Sequence, residues 1–297
     1  MITLPINSLK EVEFEVSNGE PKTVRFRSPL SSGCLAVDDA RAYLYKTEGT
    51  DEGVVFVHGI GRKSLRFLHY YPRMFQKSGF SAVMPVLPFH YDRVSAEREH
   101  YDRFIGGPTE VMEQKFHHAV ADVRTCVELL KRLGCRRIHI MGISSGGMIA
   151  VITMARDSAI DRGVLAITGG NLEVISWYSI ATRIYRVGKS RRAHRERSIE
   201  IRKKFDECAE SFRSVRDLER IPSFFRYDPS LFAKLITSDR VLMFSALLDV
   251  FIPRESSDDL YRRLGKPERI MLPSGHLSAH VLFRRLMLQR AVSFFRD

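Results

Sequence analysis

Residues 138–147 read IHIMGISSGG, an apolar run that stops abruptly in serines and glycines. A run that is apolar at successive positions fits a strand buried on both faces. The stretch that follows, from Ser145 to Ala155, has helical period. Between the two, Gly142, Ile143, Ser144, Ser145 and Gly146 form G-x-S-x-G in the strand–turn–helix setting that the motif requires. Such a turn is so tight that the positions two before and two after the central serine must be nearly without side chains. It raises Ser144 at the strand end, above the N-terminus of the next helix, whose positive dipole end suits a developing anion. The bare pattern arises by chance about 0.1 times in a chain of this length, so its setting carries the weight. The bland alternative is a glycine-rich turn around a buried serine. Ser145 is the rival, but it has no glycine two residues before it.

Outward from this point the same style of strand recurs. VVFVHG, SAVMPVLPFH, GVLAITGG, VLMFSALLD and RIMLPSG are continuous apolar runs with sharp ends. The spacing predicts helices over 64–78, over 109–133 and, at the end of the chain, over 279–295. Strands alternating with helices predict an α/β fold with a mostly parallel sheet and right-handed crossovers. Before these, EVEFEV (11–16), TVRFR (23–27) and ARAYLY, ending at Tyr45, alternate with period two, as half-buried antiparallel strands do.

One segment breaks the alternation. About seventy residues separate GVLAITGG from VLMFSALLD, where connections usually take 2–6. The segment holds the only tryptophan, Trp177, and a dense basic stretch, RRAHRERSIEIRKKFDECAESFRSVRDLER. It reads as a helical cap over 171–227, inserted into a body made of 1–170 and 228–297.

A serine hydroxyl needs a base to take its proton. Of ten histidines, His276 in LPSGHLSAH directly follows the last strand, and Gly275 gives it a sharp exit. His280 would lie in or near the final helix. His276 and His280 are at a spacing that can ligate a metal, but no HExxH companion is present, so no metal is expected. The imidazole needs a carboxylate partner, and Asp249 ends the strand after the insertion. Asp258 and Asp259 read as the solvated face of the next helix. An oxyanion hole needs two backbone donors. The N–H groups of Ser145 and Ile60 are the candidates, with Gly59 and Gly61 letting the backbone turn. His58 reads as a structural histidine beneath that loop.

VVFVHGIG, GISSGG, SALLDVFIP and PSGH together resemble the four signature regions of the α/β-hydrolase superfamily. The resemblance runs from about residue 53 to the end, insertion apart, and the order Ser, Asp, His matches the motif. LPFH at the end of the fourth strand resembles the dienelactone-hydrolase and acetyl-esterase-like branch more than the lipases. The resemblance implies an eight-stranded, mostly parallel sheet flanked by helices, with a cap after the sixth strand. It also implies hydrolysis of an ester, thioester or amide without a cofactor. Two features depart from the usual members: the arginine-rich middle of the cap, and the long loop 91–108.

Composition bounds the rest. The 297 residues, 44% of them hydrophobic, suffice for a full core. No apolar run reaches the ~18 residues of a membrane span, and no secretory signal is visible, so a cytoplasmic protein is expected. The four cysteines read as small core residues. A net charge of +12 favours acidic partners. The basic residues lack interleaved stacking aromatics, which argues against nucleic acid.

The expected function is hydrolysis of a carboxylic ester or thioester through an acyl-enzyme on Ser144. Trp177 and Tyr178 are expected to line an apolar wall, with Arg191 and Arg192 meeting an anionic substrate group. Two alternatives stand beside it: a lipid acyl hydrolase that docks on anionic membranes, and a binding protein on a retired hydrolase fold. Filled triad positions argue against the latter. Oligomeric state is open.

Overall fold

Six of the apolar runs lie side by side as parallel strands. They are β4 (Glu52–Val57), β5 (Ser81–Pro85), β6 (Arg137–Ile143), β7 (Ile160–Ala166), β8 (Val241–Ala246) and β9 (Glu268–Leu272). In this computed structural model the described residues are 9, 11–60, 65–94, 107–186 and 190–297, side chains excepted at 184–186 and 191–195. Three antiparallel strands extend one edge: β1 (Glu15–Val16), β2 (Lys22–Arg27) and β3 (Asp39–Tyr45), the last entered from the short helix α1 (Leu35–Asp38). The sheet order is β1-β2-β3-β5-β4-β6-β7-β8-β9. The two-residue β1 makes nine strands where the family resemblance implies eight. The alternation of 11–16 yields pairing only at Glu15–Val16, because the acidic residues before them leave one strand face polar at an open edge.

The strands bury both faces. Val55 and Val57 join one core cluster while Val54 and Phe56 join the other, as period two requires. On the first face lie α3 (Thr109–Arg132) and α4 (Ser145–Arg156), with Phe205, Phe212 and Phe225 of the insertion joining their core. On the second lie α2 (Tyr70–Lys77) and α10 (Arg284–Arg296), which pack Phe75 against Phe295. Among the described residues no helix is long and apolar enough to cross a membrane. The four cysteines are free.

Within 171–227 the chain forms α5 (Leu172–Tyr178), a 3₁₀ turn at Ile180–Arg186, α6 (Arg191–Ser211) and two further 3₁₀ turns. Asp228 ties the entry of this segment to its exit. Its carboxylate accepts from the backbone N–H of Asn171 (2.9 Å) and Leu172 (2.6 Å), and from Ser230 at the start of α7 (Pro229–Phe232). Burial pushes the Asp228 carboxyl up to about 6, against the pull of these hydrogen bonds.

Three expectations shift at element ends. The helix expected over 64–78 starts at Tyr70, because 65–69 fold as turns. The terminal helix expected over 279–295 is two helices, α9 (His276–Leu282) and α10, broken at Phe283, whose φ of −111° leaves the helical region. In α8 (Arg254–Arg263), Asp259 is not on a solvated face. It is buried, accepts from Ser230 Oγ at 2.8 Å and pairs with Arg263, because α7 packs over it.

Candidate active site

Ser144 sits between β6 and α4 with φ +57° and ψ −124°. A positive φ costs a serine about 1–3 kcal/mol and persists only where the surroundings enforce it. Its neighbours do so. A Cβ on Gly142 would lie 2.3 Å from the carbonyl oxygen of Gly146, and one on Gly146 would lie 2.2 Å from that of Val57. The turn is held further by Ser144 N–H to Ala166 O (2.9 Å), Gly147 N–H to Ser144 O (2.9 Å) and Thr168 Oγ1 to Ser144 O (2.7 Å).

Two loops bring the other groups to this serine. His276 begins α9, and its Nε2 lies 2.9 Å from Ser144 Oγ. Its Nδ1 lies 2.7 Å from Asp249 Oδ2. In the matching tautomer, Nδ1–H donates to the carboxylate and Nε2 accepts from the hydroxyl. The other oxygen of Asp249 accepts from the N–H groups of Phe251 and Ile252, each at 2.8 Å. These two bonds orient the carboxylate towards the imidazole. The two loops are also tied directly, by Leu248 N–H to Ser274 O (3.0 Å). Ser144 is half-buried and His276 buried, so the hydroxyl is reachable while the imidazole is shielded.

Ser145 opens α4, so its N–H has no acceptor within the helix and stands beside Ser144. Gly59, at the end of β4, runs so close that a Cβ there would meet Ser144 Cβ at 3.1 Å. Ile60 follows it with an exposed side chain, and Gly61 lies outside the described residues. His58 is fully buried beneath this loop. Its Nε2 accepts from Leu87 N–H (3.0 Å) and its Nδ1 donates to Gly59 O (2.7 Å), joining the ends of β4 and β5. Burial lowers it to about 4, so it stays neutral. His280 packs edge-on against His276, with ring centroids 5.8 Å apart, and it is His276 whose Nε2 reaches Ser144 Oγ. Burial, and then the neighbouring His276, bring His280 down to about 4.

The model of the alpha/beta hydrolase family matches residues 54–284. The chain belongs to the alpha/beta hydrolase family. Among solved structures, this hydrolase is similar to an esterase of Pyrococcus furiosus at 12% identity and a TM-score of 0.55, over 99% of this chain and 95% of that one. It is similar to an acylaminoacyl peptidase of Pyrococcus horikoshii at 16% identity and a TM-score of 0.63, over 98% of this chain but only 42% of that one. TT1662 of Thermus thermophilus is similar at 14% identity and a TM-score of 0.56, over 96% and 97%. No curated protein matches the hydrolase in sequence. At these identities the structures speak for the fold.

The insertion meets the site at Ile180, whose N–H donates to Val250 O (2.9 Å), next to Asp249. Tyr178, two residues earlier, is exposed, and Trp177 is half-buried. Arg191 and Arg192 begin α6, and their side chains lie outside the described ones. Sequence reasoning missed Thr168, which braces the Ser144 carbonyl, and Phe251, whose ring lies 5.1 Å from that of His276. Thr168 had a signal, since it ends the run GVLAIT two residues beyond Ala166, the last residue of β7. Phe251 had none.

Proposed function

We propose that the protein hydrolyses a carboxylic ester or thioester through an acyl-enzyme on Ser144. The observation that carries this is the unbroken chain from Ser144 Oγ to His276 to Asp249, at 2.9 and 2.7 Å. Ser144 Oγ attacks the acyl carbon as His276 Nε2 takes its proton, and Asp249 stabilises the imidazolium. The oxyanion of the tetrahedral intermediate lies towards the N–H groups of Ser145 and Ile60. His276 then protonates the leaving alcohol or thiol as the C–O or C–S bond breaks. Water, deprotonated by the same imidazole, attacks the acyl-enzyme, and the carboxylic acid leaves with Ser144 restored.

In the same reading, 171–227 is a cap on the body formed by 1–170 and 228–297, closed at its base by Asp228. Tyr178 and Trp177 line its approach to the site, and the arginines that open α6 select for negative charge on the substrate.

Turnover of a series of carboxylic esters of graded acyl length tests the reaction. His276→Ala and Ser144→Ala should each lower it by several orders of magnitude, and His280→Ala should keep most of it. Equal loss in His280→Ala, or a His276→Ala variant that still turns over, would overturn the assignment. A matched neutral and anionic ester pair tests the charge preference. Arg191→Gln with Arg192→Gln should raise KM for the anionic ester alone, and less so at high salt.

A further inference from the structure

The mouth of the proposed site is rimmed by apolar side chains that face solvent. Leu248 (71% exposed) and Val250 (55%) flank Asp249, Leu277 (67%) follows His276, and Val281 and Leu282 (69%) continue along α9. Ile180 joins them through its bond to Val250, and Leu248 is bonded to Ser274, two residues before His276, so both loops contribute to the rim. An apolar rim of this kind marks a contact surface.

Its flank is basic. From Arg269 to Arg296 the chain has five arginines and no Asp or Glu; Arg269 pairs with Asp258 and Arg290 with Glu268, which leaves Arg284 and Arg285 directly behind the rim, and no Asp or Glu lies between Glu173 and Glu196. Directly after Leu282 and Phe283, Arg284 crosses onto the rings of Tyr70 (4.7 Å) and Phe67 (5.6 Å). There it helps line a cavity of about 570 Å³ with Arg66, Arg73, His69 and Tyr70, and no carboxylate among the described lining residues. A cavity walled by guanidinium groups and phenol suits a phosphate oxyanion.

We propose that this face docks on an anionic phospholipid surface, with the apolar rim entering the acyl-chain boundary and the Arg73–Arg284 cavity receiving a headgroup phosphate. The substrate is then an acyl ester presented by that surface, a choice that rests on Ser144 acting as the nucleophile; the docking itself does not. An apolar rim bordered by cationic side chains is the pattern by which proteins lie in a bilayer interface. A second copy of the chain suits the rim less well. It would bring the same acid-free, arginine-bearing segments against each other in a molecule of charge +12.

The test is sedimentation of the full chain with phosphatidylcholine vesicles, with and without phosphatidylglycerol. The protein should pellet with the anionic vesicles and be released by salt. Arg73→Gln and Arg284→Gln should each lower the partition about fivefold. Val281→Ser with Leu282→Ser should lower it by on the order of tenfold or more, while turnover of a water-soluble short-chain ester stays unchanged and reports the fold. Ser144→Ala should pellet as the native chain does, which separates docking from chemistry. Absence of pelleting, equal pelleting without phosphatidylglycerol, or full pelleting of the Val281→Ser, Leu282→Ser variant would each overturn the proposal. So would a dimer that the same variant turns into a monomer with no vesicle binding.

Discussion

Ser144 keeps a backbone that serine disfavours because its neighbours leave the chain no other path. The three glycines around it are not equivalent. A methyl on Gly146 would strike the backbone oxygens of Val57, which ends β4, and of His58 directly after it, and main chain held by the sheet cannot move aside. A methyl on Gly147 would meet Thr168 Cβ at 2.7 Å, a shallower overlap that side-chain rotation cannot relieve, because the backbone fixes Cβ. Gly146→Ala is therefore expected to destabilise by more than about 3 kcal/mol, at the upper end of overpacking, and Gly147→Ala by about 1–2 kcal/mol. Denaturant midpoints decide this, and equal losses would contradict the geometry. At this scale much was legible in the sequence. GISSGG, LPSGH and SALLD each pair a strand end with one chemical group, and the fold brings those groups within hydrogen-bond reach. The N–H groups of Phe251 and Ile252 were not legible, because backbone donors leave no mark on composition.

Among the elements, one buried carboxylate clasps the two ends of the insertion. Asp228 accepts three backbone N–H groups from two chain segments. Asp228→Ala would leave those donors unpaired and is expected to cost about 3 kcal/mol or more. Limited proteolysis should then cut within 171–227 before it cuts the sheet; uniform cutting would refute the clasp. Periodicity foretold the strands well, since a run such as VVFVHG has to be covered on both faces. It foretold helix ends poorly. The break at Phe283 and the burial of Asp259 depend on what packs against the helix, and spacing along one element does not report its neighbour. For the same reason the exposed rim of Leu248, Leu277 and Leu282 is invisible in sequence, where an apolar residue reads as core.

For the whole molecule, the buried histidines set a response to acid. Burial lowers His58 and His280 to about 4, and His90 and His139 to about 3. In the unfolded chain each binds a proton near 6.5. Between those values the unfolded form holds more protons, so the stability present above pH 6.5 falls as the pH drops towards 3. Asp228 works in the opposite sense, since its raised carboxyl favours the fold most below its ordinary range and less as pH rises through about 6. Four histidines outweigh one carboxylate, and Tm should fall steadily below pH 6.5. His139 stacks on Phe295 at 4.6 Å, and neither ring nitrogen finds a hydrogen-bond partner among the described residues. His139→Phe should therefore soften the fall without loss at neutral pH. A Tm that is flat from pH 7 to 5, or a His139→Phe profile as steep as the native one, would contradict this.

The most direct test of the central claim is covalent. A serine-directed phosphonate should add one label to the folded protein, and peptide mapping should place it on Ser144, with none on Ser145 and none after Ser144→Ala. His276→Ala should slow the labelling severely, because the hydroxyl loses its base. A label on another serine, or no label on folded native protein, would show that the strained turn at Ser144 does not carry the nucleophile.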